Sequence, residues 1–134
     1  DMLKEKTSLL QLDERVRYVG FVPHREMPIY LHASNIFIRP SLSEGFGISF
    51  IEAMAAGLPV IATPVGGIPD FLFDGRTGLF CKAEEPESIA EKVDVLMKDK
   101  ELCESLVSNA RAMVKEKYGW DLIADKMRGI FARL

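Results

Sequence analysis

The sequence predicts an α/β fold, a parallel sheet with helices on both faces. Three observations lead there. Short apolar runs of strand length, Ile36 to Ile38, Val60 to Ala62 and Leu79 to Cys81, alternate with stretches of helical periodicity. These runs are continuous rather than alternating in polarity, as expected of strands covered on both sides. Loops rich in Gly, Pro and Ser follow them, and the strand–helix order calls for right-handed crossovers between parallel strands.

The elements follow in order. Leu3 to Leu12 reads as the last turns of a helix, with Leu3, Leu9, Leu10 and Leu12 as its apolar positions. Arg15 to Phe21 alternates Val16, Tyr18 and further apolar positions, which suggests a strand ending at Gly20. Pro23 and His24 mark a loop. Arg25 to Ala33 reads as a short helix with Met27, Tyr30 and Leu31 on one face, and Pro28 falls in its first turn, where a missing N–H costs little. Ile36 to Ile38 is a candidate buried strand closed by Pro40 and Ser41. A helix follows from about Gly47 to Ala56, with Gly57 as its left-handed C-cap and Pro59 beyond. Val60 to Ala62 is the next strand. Val65 to Pro69 is a loop, Asp70 to Phe73 a half-turn of helix, Asp74 to Gly78 a turn, and Leu79 to Cys81 the last strand.

The remainder is helical. Pro86 reads as a first-turn proline, after which Ile89, Val93, Leu96 and Met97 form a stripe at helical spacing. Glu101 to Lys117 carries Leu102, Leu106, Ala110, Met113 and Val114. Trp120 opens a third helix with Ile123, Met127, Ile130 and Phe131 on one face, and Trp120 itself reads as packing.

Composition narrows the function classes. At 134 residues the chain suits one domain with one core. Its charge of −3, with Lys and Arg dispersed, argues against nucleic acid as a partner, because that needs a basic stripe. Cys81 and Cys103 have no metal-ligand spacing, and His24 and His32 are isolated, so no metal is expected. The two cysteines read as reduced thiols in a cytoplasmic protein. No apolar run approaches the ~20 residues that span a bilayer, which leaves peripheral membrane contact open. The opening Asp1-Met2-Leu3, inside a helical segment, reads as an excised domain or a fragment.

The stretch Ser43-Glu44-Gly45-Phe46-Gly47-Ile48, continuing through Glu52 to Gly57-Leu58-Pro59-Val60-Ile61, carries the chemistry. Glycines let backbone amides approach a ligand closely. The helix that starts here points its unpaired N–H groups at the same place, which favours a phosphate. Glu44 precedes the helix and Glu52 lies within it. Ligands of open parallel sheets bind at the carboxyl ends of the strands, where the loops after Gly20, Ile38 and Ala62 are expected. A glycosidase pair would need two carboxylates across a glycosidic bond, and it would leave the phosphate-cradling helix start unexplained.

This stretch resembles the signature of the C-terminal, donor-binding domain of retaining glycosyltransferase family four. That family has the GT-B architecture of two Rossmann-like domains. Further matching segments are Val19-Gly20-Phe21-Val22-Pro23, Ala33 to Ser41, Thr63 to Asp70, Asp74 to Leu79 and Tyr118-Gly119-Trp120. The resemblance runs from about Asp13 to the end of the chain. It implies a Rossmann-like, C-terminal half of a GT-B enzyme, truncated at its N-terminus. Residues 1–134 would be the donor domain, with the upstream strands, an Arg- and Lys-bearing loop and the acceptor domain missing.

The resemblance implies residue roles. Glu44 is the candidate catalytic residue and, with Gly45, Phe46, Gly47 and Ile48, meets the donor's sugar or diphosphate. Glu52 takes the ribose hydroxyls. Phe21, Val22 and Met27 read equally as walls of the base pocket and as plain core. Arg39 reads equally as a phosphate contact and as a surface charge, and Gly66 and Gly67 as nucleotide approach and as a turn. The implied activity is retaining transfer from a nucleotide-diphosphate sugar to a glycan or lipid acceptor, without a metal, at the cytoplasmic face of a membrane. The fragment alone is expected to be inactive. A non-catalytic nucleotide-binding or interaction module on the same fold is the alternative, and an epimerase-like domain a third.

Overall fold

The computed structural model describes residues 2–133. Three parallel strands, β1 (Phe37–Arg39), β2 (Val60–Ala62) and β3 (Leu79–Phe80), lie side by side in that order. Phe37 pairs with Val60, Ile38 with Ile61 and Arg39 with Ala62, while Ile61 pairs with Leu79 and Ala62 with Phe80. The described residues also form six α-helices: α1 (Met2–Leu9), α2 (Met27–His32), α3 (Ile48–Ala56), α4 (Pro86–Lys98), α5 (Lys100–Tyr118) and α6 (Trp120–Phe131).

The central strand explains the layering. Side chains alternate across a strand, so Val60 and Ala62 face one side and Ile61 the other. Val60 and Ala62 enter a core with Phe50, Ala53 and Met54 of α3. Ile61 enters a second core with Leu79, Leu96 of α4 and Leu106 of α5. The expected two-faced sheet is therefore present, and all three residues of β2 are buried. Helix α5 contributes to both cores, with Ala110, Met113 and Val114 in the first.

Local rules set the helix ends. Gly57 adopts φ +88° and caps α3, its N–H bonding to the Met54 carbonyl at 3.1 Å. Pro86 sits in the first turn of α4, and the Asp99 carboxylate caps α5 by accepting from the Leu102 N–H at 2.9 Å.

The structure corrects five expectations. Residues 15–21 form no strand: their alternation is real, but no neighbour in the described chain pairs with them, and Val16, Tyr18, Val19 and Phe21 are exposed. Strand β1 is not buried on both faces, because it is an edge, paired only with β2 and increasingly exposed toward Arg39. The half-turn expected at Asp70 to Phe73 is a 3₁₀ turn at Ile68–Asp70, started by Pro69. Met97 points outward while its neighbour Leu96 is buried. Trp120 is exposed rather than packed, as are Ile130 and Phe131 on the same helix.

Candidate functional site

The carboxyl ends of β1 and β2 open into two loops, residues 40–47 and 63–67, which are held together as one surface. The Gly67 N–H donates to the Gly45 carbonyl at 2.9 Å, and the Thr63 hydroxyl donates to the Ser41 carbonyl. Gly66 and Gly67 serve this contact. A Cβ on Gly66 would lie 1.7 Å from the Glu44 carbonyl oxygen, and one on Gly67 would lie 2.5 Å from that of Gly45. Both glycines lie in a turn, one of the two expectations, and loop-on-loop packing is what requires glycine there.

Gly47 and Gly45 differ. Gly47 takes φ +82° at the N-cap of α3, and a Cβ there would crowd Phe50 at 2.9 Å and Phe71 at 3.2 Å. The fold itself demands that glycine. Gly45 has no left-handed backbone, and a Cβ would meet nothing within 4 Å. Packing does not explain why this position lacks a side chain, and the open space lies directly before the first turn of α3. The first amides of that helix, at Ile48 and Ser49, have no partner one turn earlier within it. Phe46 and Ile48 are exposed beside this space. Phe46 leans on Phe71 and Tyr118, with ring centroids 6.5 and 5.8 Å away.

The Glu44 side chain is held from both of its oxygens. Its Oε1 accepts from its neighbour's amide, Gly45 N–H, at 3.1 Å. Its Oε2 is sealed from solvent and accepts no aligned hydrogen bond from the described residues. The compensation is charge: the Nη2 of Arg39 stands 3.1 Å away. Arg39 in turn donates through Nη1 to the Ser49 hydroxyl at 2.8 Å, and its guanidinium lies 5.6 Å from the centre of the Phe50 ring. Arg39, still half-exposed at the end of β1, is thus the partner of Glu44. A charged residue ending an apolar strand five positions before an acid was the signal for this pair.

Glu52 lies one turn further along α3. Its Oε1 is 2.7 Å from His24 Nε2, and its side chain is about one-third exposed. His24 is isolated in the sequence, and nothing in its neighbourhood announces this contact across 28 residues. The two line a groove of about 320 Å³ between α2 and α3, floored by Met27, Pro28, Leu31 and Ala55. Among the nucleotide-site candidates, Met27 and Glu52 are therefore brought together. Phe21 and Val22 do not line that groove, and Phe21 projects almost wholly into solvent, because the segment that carries it has no strand partner. Among the described residues no group of three or more His, Cys, Asp or Glu could hold a metal ion, and no helix is long and apolar enough to cross a membrane.

The chain and its fold are similar to known proteins. The chain is 34% identical over 131 residues to an uncharacterized glycosyltransferase of Methanocaldococcus jannaschii, covering 98% of the chain and 34% of that protein. It is 31% identical over 129 residues to the D-inositol 3-phosphate glycosyltransferase of Streptomyces avermitilis, covering 96% of the chain and 28% of that protein. The chain thus spans about a third of these relatives. Among solved structures it is similar to Anabaena HepE in complex with UDP and glucose, at TM-score 0.91 and 25% identity, over 99% of the chain and 36% of HepE. It is also similar to the C-terminal domain of a glycosyl transferase group 1 family protein from Francisella tularensis, at TM-score 0.80 and 32% identity, over 89% of the chain and 62% of that domain. The family model for glycosyl transferases group 1 matches residues 1–113, and the chain belongs to that family.

Proposed function

We propose that this chain is the donor-binding, C-terminal domain of a retaining glycosyltransferase, and that it binds a nucleotide-diphosphate sugar. The observation that carries the reading is Gly45. It is a glycine with neither a conformational nor a packing reason, set before the free amides of α3 and flanked by two acids on the same loop and helix. A diphosphate approaching the backbone at residues 45–48 uses that space. Solved structures of the similar HepE are in complex with UDP and with UDP-glucose, which supports a nucleotide sugar as the ligand class.

The roles follow from position. The amides of Phe46, Gly47 and Ile48 receive the diphosphate. Glu44 reads a hydroxyl of the sugar. Glu52 accepts from the ribose, for which a carboxylate has four lone-pair sites, only one of them taken by His24. In transfer the bond between the sugar and the diphosphate breaks, and negative charge grows on the departing nucleoside diphosphate. The helix start faces that charge with donors already in place, which is where such a site lowers the barrier. No divalent cation is assigned a part. The acceptor, a glycan or lipid at the cytoplasmic face of a membrane, is held by a domain outside this chain, so the chain alone binds donor without transferring sugar.

The test is calorimetric titration with UDP, GDP and ADP and their sugar conjugates, for the wild type and Glu52→Ala. Binding to one base, weakened at least about ten-fold by the substitution, is expected from losing a charged hydrogen-bond pair. Nucleotide binding that ignores Glu52→Ala, or no binding even by the full-length protein, would sink the proposal.

A further inference from the structure

The Arg39–Glu44–Ser49 cluster has a geometry that a plain surface ion pair would not need. Glu44 Oε2 is fully enclosed, faces a cation at 3.1 Å and receives no aligned hydrogen bond from the described residues. Oε1 is pinned by the Gly45 amide at 3.1 Å, and the Glu44 side chain keeps only 14% of its surface. The guanidinium is fixed independently of Glu44, by the Ser49 hydroxyl at 2.8 Å and by the Phe50 ring. Phe50 is itself wholly buried and packed edge-on against Phe37 at 5.4 Å. A rigid core residue thus orients Arg39, and Arg39 orients Glu44.

We propose that Arg39 is a positioning residue for sugar recognition. It occupies Oε2, so that Glu44 offers a ligand one oxygen, Oε1, in one direction. The site then reads a single sugar hydroxyl rather than a pair of hydroxyls across both carboxylate oxygens. This inference rests on the proposed donor-site reading, since Glu44 must face the sugar for Arg39 to matter. It goes beyond that reading by naming the group that sets the orientation and by limiting the contact to one hydroxyl. Arginine suits the task because its planar fork reaches Ser49 and Glu44 at once, which a lysine ammonium does less well.

The experiment compares each nucleotide with its sugar conjugate: UDP with UDP-glucose and UDP-N-acetylglucosamine, GDP with GDP-mannose, and ADP with ADP-glucose. The gain in affinity brought by the sugar is measured for the wild type, Arg39→Ala, Arg39→Lys, Ser49→Ala and Glu44→Gln, with the melting temperature of each recorded. Arg39→Ala is expected to cut the sugar-dependent gain about ten-fold while leaving nucleotide affinity in place, the size that follows when a charged hydrogen bond loses its geometry. Arg39→Lys restores part of it, Ser49→Ala loses less, and the Arg39→Ala, Glu44→Gln double variant loses no more than Glu44→Gln alone. A merely structural Arg39 would weaken nucleotide and conjugate alike. A gain that disappears in Glu44→Gln but survives Arg39→Ala overturns this inference and leaves the donor site standing. A wild type whose affinity is the same for nucleotide and conjugate, or a gain indifferent to Glu44→Gln, also overturns this inference while Glu52-dependent nucleotide binding stands; no nucleotide binding even by the full-length protein overturns both.

Discussion

Gly66 lies so close to the main chain of Glu44 that a Cβ placed on it would fall 1.7 Å from the Glu44 carbonyl oxygen. The loop after β2 is thereby the back wall of the loop after β1, and Glu44 owes its main-chain position to a residue 22 places later. Because the obstacle is backbone, no rotamer change relieves it, and φ at Gly66 is +56°, where a side chain is strained in any case. Gly66→Ala is therefore expected to cost at least ~2 kcal/mol, read as a lowered denaturant midpoint.

Gly75→Ala provides the contrast. Gly75 has φ +69° but open space around its Cα. Only the left-handed conformation is penalised there, so the expected loss is about 1–2 kcal/mol, smaller than at Gly66. Equal losses at both positions would show that loop-on-loop packing contributes little.

Phe50 links the core to the site. It is wholly buried, meets Phe37 and Phe71 with centroids at 5.4 and 6.1 Å, and lies under the Arg39 guanidinium. Phe50→Ala is expected to cost about 3–5 kcal/mol from lost burial and the cavity left behind. Phe50→Leu should recover most of the stability but not the face that Arg39 rests on. Thermal melts of the two variants check the first statement, and the sugar-dependent affinity of Phe50→Leu the second.

Much of this was legible in the sequence because it depends on local pattern. The continuous apolar run Val60 to Ala62 announced a strand buried on both faces, and Gly57 followed by Pro59 announced the end of α3. What was not legible depends on partners distant in sequence. Residues 15–21 have a strand's alternation, yet a strand exists only where another pairs with it, and none of the described residues does. The roles of Gly66 and Gly67 require knowing that two loops touch. His24 and Glu52 meet because the 3₁₀ turn His24–Glu26, which leads into α2, lies against α3, and periodicity within α3 does not encode that neighbour.

The two thiols give a prediction in alkali. Burial pushes the Cys81 thiol up, against smaller opposing effects of a backbone hydrogen bond and Lys92. Burial, helped by Glu104, does the same to Cys103. A folded state that keeps its proton to higher pH than the unfolded chain is favoured fully below the unfolded thiol's pKa, about 8.5, and loses that advantage as pH rises through the folded value. Stability should therefore fall with pH above this range, and less steeply in Cys81→Ala. Urea midpoints at successive alkaline pH values, wild type against variant, check the slope; a steeper fall in the variant would contradict the assignment.

His24 and Glu52 form an exposed pair, with the histidine side chain 86% accessible. Such pairs contribute about 0–1 kcal/mol, so His24→Ala should shift the denaturant midpoint barely at all. A large loss would mean that the pair braces α2 against α3 rather than standing at the mouth of a groove.

The sharpest separation of fold from ligand lies at two glycines two residues apart. Gly47 is left-handed at φ +82° and crowded by Phe50 and Phe71, while Gly45 is neither left-handed nor crowded. Gly47→Ala should therefore destabilise the chain by about 1–2 kcal/mol or more, whatever it binds. Gly45→Ala should change stability by no more than about 0.5 kcal/mol, as a surface substitution in open space does. If a diphosphate passes over the backbone at residue 45, however, the new methyl group stands in its path, and nucleotide affinity should fall by about ten-fold or more. Melting and titration of the same two proteins give opposite rankings under that reading: Gly47→Ala is the less stable, and Gly45→Ala is a stable protein with an obstructed site. A Gly45→Ala protein that melts and binds like the wild type would remove Gly45 from the case for a ligand at the start of α3.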